Sequence, residues 1–177
     1  MRATFPVTAS ALIAFAPAAF AADGTVTFNG RITAQTCTIG GNGGANNFTV
    51  TLPTVSTNSL RTAGAVTGRT PFNITLSSCT PNSGNAVVYF EPGATVDIAT
   101  GRLVNSNRTG ARNVQVGLKN ADYSDIRLGA AHASQNSRPV TLNNGGATLN
   151  YFAEYVATGA TTAGDLTTST LYSIVYQ

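Results

Sequence analysis

The chain closes on TLYSIVYQ, residues 170–177. Leu171, Tyr172, Ile174, Val175 and Tyr176 are residues that suit a pleated strand, and no Pro or Gly interrupts them. The last residues of a domain usually fray. Here a well-formed strand runs up to Gln177, with an aromatic as its penultimate residue. No later stretch is left to pair with its far side, so the expectation is a sheet whose last strand keeps one open edge.

Working back from that strand, the same period of two recurs. ATLNYFAEYVA puts Ala147, Leu149, Tyr151, Ala153, Tyr155 and Ala157 on one parity. NVQVGLKN alternates Val114, Val116 and Leu118 with Gln115, Gly117 and Lys119, and PFNITLSSC sets Phe72, Ile74 and Leu76 against Asn73, Thr75 and Ser77. AVVYF, from Ala86, is a short apolar run stopped by Pro92 and Gly93. Turn-forming runs separate these segments: GGNGGANN from Gly40, NNGG from Asn143 and TGATTAGD from Thr158. Helix signals are nearly absent. Short alternating strands with frequent turns predict an all-β, antiparallel sandwich in a single domain.

The longest alternation lies at the other end, in ADGTVTFNGRITAQ, residues 22–35. Ala22, Gly24, Val26, Phe28, Gly30, Ile32 and Ala34 share one parity, and every residue between them is polar. Such a strand needs a groove for its apolar face. Before it stands MRATFPVTASALIAFAPAAFA, with Arg2, an apolar run and the small–x–small triplet Ala19–Phe20–Ala21, the pattern of an export signal cleaved after residue 21. That run is too short for a membrane anchor and is broken by Pro17.

Export bears on the cysteines. Cys37 and Cys79 are the only pair, and in an oxidising compartment they are expected to bond. Closing a loop of 42 positions removes about 4 kcal/mol of chain entropy from the unfolded state. Charged residues are 10% of the chain, against about 25% in ordinary domains. Thr, Asn, Ser and Gly carry the polarity instead, and the one lysine and scattered arginines form no stripe for a nucleic acid.

Taken in order, GTVTFNGRITAQTCTI leading into Cys37, Cys79 after PFNITLSS, NVQVGLKN, and the tail from Ala147 to Tyr176 and Gln177 resemble the pilin subunits of bacterial chaperone–usher fimbriae. The resemblance covers the mature chain. It implies an incomplete immunoglobulin-like β-sandwich that lacks the seventh strand, with an N-terminal donor-strand extension. Residues 1–21 would be the signal peptide, 22–30 the extension and 31–177 the pilin domain. It implies a structural subunit of an adhesive surface fimbria. The partners it implies are neighbouring subunits joined head-to-tail, a periplasmic chaperone and an outer-membrane usher. Ala22, Gly24, Val26, Phe28 and Gly30 would form the donor strand. Leu171, Tyr172, Ile174, Val175, Tyr176 and Gln177 would form the edge that the chaperone holds. Gly24 matches the glycine that passes a crowded point in the groove, and Ala22 the position where exchange begins.

No catalytic site, metal site, cofactor or small-molecule substrate is expected. His132 is the only histidine and reads as an exposed loop residue, and the seven acids have no metal-ligand spacing. GGNGGANN departs from the dinucleotide fingerprint at Asn46 and has no βαβ unit around it. Two other readings stay open: a minor adaptor or terminating pilin of the same fibre, and a monomeric secreted immunoglobulin-like module that binds carbohydrate. A secreted hydrolase would need a nucleophile–base pair, which the sequence does not offer.

Overall fold

Asn144 and Gly145, at φ 50° and 75°, turn the chain back within NNGG, where Asn143 and Gly146 exchange both main-chain hydrogen bonds. A two-residue turn with both centres in the left-handed region matches the twist of a hairpin, and Asn–Gly is its preferred sequence. Turns of this sort divide the chain into antiparallel strands.

The computed structural model describes residues 24–32 and 34–177. The expected signal, residues 1–21, and Ala22 lie outside the described residues. The chain falls into two units, Met1–Ile32 and Thr33–Gln177. In the first, residues 24–32 belong to no strand or helix, and Val26, Phe28 and Ile32 are exposed. Among its described residues the second unit carries ten strands: β1 (Thr36–Gly41), β2 (Val66–Thr80), β3 (Asn85–Phe90), β4 (Val96–Asp97), β5 (Arg102–Val104), β6 (Val114–Asn120), β7 (Asp125–Ile126), β8 (Val140–Thr141), β9 (Ala147–Ala157) and β10 (Tyr172–Tyr176). Two short 3-10 turns, Thr57–Leu60 and His132–Ser134, are its only helical elements among the described residues.

One sheet runs β1-β2-β9-β6-β5-β4, with β7 also on β6; the other runs β10-β3-β8. All pairings are antiparallel. This is the sandwich that the alternation predicts. The inner faces supply the core: Phe72, Ile74 and Leu76 from β2, Ala86, Val88 and Phe90 from β3, Val116 and Leu118 from β6, and Leu149, Tyr151 and Ala153 from β9. Cys37 and Cys79 are bonded and tie β1 to the end of β2.

On β9 the expected parity holds only as far as Ala153. Beyond it, Glu154 and Val156 on the other face are buried and Tyr155 is half-buried. The outer face there is covered by long side chains: Arg69 donates to Glu154 Oε2 at 2.8 Å, and Lys119 Nζ lies 3.5 Å from Glu154 Oε1 and 2.8 Å from Asp125 Oδ1. A second buried polar residue, Gln135, acts as a substitute strand. Its amide accepts from Phe90 N–H and donates to Phe90 O, both at 2.8 Å, and so continues the ladder beyond β8.

Candidate functional site

The hydrogen-bond alternation of an antiparallel pair assigns each main-chain group of β10 to one edge. Gln177 and Asn85 exchange both bonds, at 2.8 and 3.1 Å, and Leu171 O accepts from Glu91 N–H at 2.8 Å. The register therefore turns the main-chain groups of Ser173 and Val175 toward β3. Those of Tyr172, Ile174 and Tyr176 face the opposite edge, where β10 has no partner strand among the described residues. The side chains of the same three residues pack on the core, and burial raises the pKa of the Tyr172 and Tyr176 phenols. Leu171 precedes the strand and is exposed, and Ser173 points outward to donate to Glu91 Oε1 at 2.6 Å.

Across from this edge runs a second rim, residues 46–52. Phe48, Val50 and Leu52 are half-buried on the core and alternate with exposed Thr49 and Thr51. The segment is strand-like in pattern, yet its main-chain groups from 47 to 52 bond no other backbone group among the described residues. A groove of about 800 Å³ lies between this rim and the segment 166–172 that leads into β10; of β10 itself only Tyr172 lines it. Its floor is core: Phe72, Ile74, Phe90, Leu103, Val116 and Leu118. One end is crossed by aromatic side chains. Tyr172 Oη donates to Asn46 O at 2.8 Å, and the Phe48 ring lies 6.4 Å from that of Tyr172 and 6.3 Å from that of Phe72. Phe48 sits in this place because Gly41 lies beneath it, where a β-carbon would overlap the ring.

An apolar groove thus adjoins, at Tyr172, a strand whose outer edge has no partner among the described residues. Residues 52–177 match the model of the family described as Type-1 fimbrial protein, A. The chain belongs to this fimbrial family. It is a structural subunit of a surface fimbria, exported through the periplasm. The major fimbrial subunit SMF-1 of Stenotrophomonas maltophilia (strain K279a) is 52% identical over 171 residues, which cover 93% of this chain and 99% of that protein. The F17 fimbrial protein of Escherichia coli is 47% identical over 165 residues, 90% and 91% of the two chains. A subunit in the structure of a chaperone–usher pilus superposes with a TM-score of 0.61 at 21% identity, over 92% of this pilin and all of that chain, and shares its fold.

Of the residues singled out in the sequence, Leu171, Tyr172, Ile174, Val175, Tyr176 and Gln177 lie on or beside the open-edged strand. Gly24 and Gly30 have open space around the position of a β-carbon, and Val26 and Phe28 are exposed. His132 is exposed and meets the ring of Tyr89 edge-on at 5.7 Å. Among the described residues no group of three or more His, Cys, Asp and Glu could hold a metal ion. The rim at 46–52 is the part the sequence reading missed. The signal was the alternation Phe48, Val50, Leu52, directly after the Gly/Asn run.

Proposed function

We propose that this pilin polymerises by strand exchange, giving residues 22–30 to one neighbour and receiving the equivalent strand of another in its own groove. The observation that supports this most is the unpaired edge of Tyr172, Ile174 and Tyr176, which adjoins an apolar groove at Tyr172. Ala22, Gly24, Val26, Phe28 and Gly30 are the donor's inward-facing residues. Burying Val26 and Phe28 contributes about 1.5–3 kcal/mol each, and each main-chain hydrogen bond made to β10 adds about 1 kcal/mol. Giving one strand and receiving one is a heterologous contact, and repetition yields an open filament. Before assembly, a periplasmic chaperone covers the edge from Leu171 to Gln177, since an apolar strand left bare would aggregate. An outer-membrane usher then exchanges the chaperone for the next subunit. Residues 1–21 serve as the export signal, 31–177 as the receiving domain, and no step is catalytic.

The test is Phe28→Asp in the full chain. A charge on the donor's largest apolar side chain is expected to abolish fibres on the cell and the ladder of unboiled oligomers on a gel, while co-purification with the chaperone persists. Long fibres from the variant, or one unboiled band from the parent chain, overturn the mechanism; the latter result points to a monomeric binding module. Copy number per purified fibre separates a main subunit from a minor adaptor.

A further inference from the structure

The bond from Tyr172 to Asn46 joins the two rims of the groove across its aromatic end. Neighbouring strands lie about 4.8 Å apart, so rims that admit one strand between them stand about 9.5 Å apart. A tyrosine side chain reaching its full length, with one hydrogen bond beyond its hydroxyl, spans a gap of that order. The other features at this end hold the tyrosine in place. The Phe48 ring packs on the Tyr172 ring, and Phe48 is seated over Gly41. The rim it supports has no backbone ladder of its own to fix its distance from β10.

We propose that Tyr172 is a positioning residue, a strut whose bond to the Asn46 carbonyl holds the groove one strand wide before a donor arrives. The inference rests on the strand-exchange reading above. It adds that the width is set by the subunit itself rather than induced by the incoming strand. The side chain of Tyr172 packs on the core while its main-chain groups face the open edge of β10, and the bond is expected to persist when the donor is in place. A preformed site does not pay the ordering cost of opening at the moment of binding, so its loss falls on association.

The experiment uses the full chain carrying Phe28→Asp, which removes its own strand as a competitor, and a synthetic peptide of residues 22–35 as the donor. Tyr172→Phe keeps the ring and removes only the hydroxyl. Peptide association is expected to slow by about fivefold or more, with dissociation changed by less than about twofold. A packing role alone would move thermal stability or dissociation and leave association as it was, which would overturn the strut. Spin labels at Thr49→Cys and Leu171→Cys, both exposed positions lining opposite sides of the groove, give the second measurement. With Tyr172 present, one narrow inter-label distance is expected, unchanged by the peptide; in the Tyr172→Phe variant the distribution is expected to broaden and to narrow again when peptide binds. A distance that shifts on binding in the parent, or an identical distribution in the variant, also overturns the proposal. If the peptide fails to bind the Tyr172 parent at all, it is the strand-exchange reading that fails.

Discussion

Glu154 is 2% exposed on the outer face of β9, with Arg69 and Lys119 on either side. A carboxylate so enclosed is tolerable only while its cations stay in place, and removing one partner of a buried pair strands the other. Arg69 keeps part of its side chain in water and its guanidinium lies 4.7 Å from the centre of the Tyr123 ring, which tempers the cost. Glu154→Ala is expected to lower stability by about 2–3 kcal/mol, measured by urea unfolding of the subunit with donor peptide bound. Arg69→Ala in that background is expected to cost far less than Arg69→Ala alone, because the two side chains act as a unit. An additive pair of losses would show that the ion pair does not hold this face.

At the scale of the element, β10 is paired with a strand on one side only among the described residues, and its last ladder contact is the exchange between Gln177 and Asn85. Deleting Tyr176 and Gln177 removes that exchange and the Tyr176↔Ala86 pairing, two of the contacts that fix the strand to β3. Periplasmic subunit levels are expected to fall severalfold, read by immunoblot, with levels restored in a strain lacking the responsible protease; unchanged levels with normal chaperone co-purification would remove this strand from the capture step. The long strands were legible because each repeats its alternation over seven or more residues, as in Val114, Val116 and Leu118 of β6. β4, β5, β7 and β8 have two or three residues each, too few to express a period. The rim at 46–52 was present as alternation, but a strand with no ladder is defined by what lies across a gap, and Tyr172 and Asn46 are 126 positions apart. Burial of Glu154 was hidden for a similar reason: its cover comes from β2 and β6, so the polar parity of β9 gave no hint of it.

For the whole molecule, the donor and the groove are separate requirements on one sequence, and a substitution can damage one without the other. Among the described residues nothing lies within 4 Å of where a β-carbon on Gly24 would stand, so a side chain there is expected to leave the subunit itself unchanged. On the strand-exchange proposal, the same side chain would meet the packed floor of a neighbour's groove. Gly24→Leu is therefore expected to leave the melting temperature of the chaperone-bound subunit within about 1 °C of the parent, while fibres seen by electron microscopy become about tenfold fewer or shorter. Fibres of normal length would mean that residue 24 does not enter the groove.

The bond between Cys37 and Cys79 also sets a mechanical path. If the N-terminal segment links subunits as proposed, tension along it would reach Cys37 near the start of β1 and pass through the two sulfurs to the far end of β2. The β1 ladder is bypassed, and the pull falls along β2, which meets β9 over the longest register in the molecule, from Val66↔Val156 to Leu76↔Ala147. Strands drawn past one another along their length resist more than strands peeled apart one bond at a time. The 42 positions between the cysteines are also withheld from the contour length, so a stretched fibre in reducing medium gains up to about 140 Å per subunit that the oxidised fibre does not have.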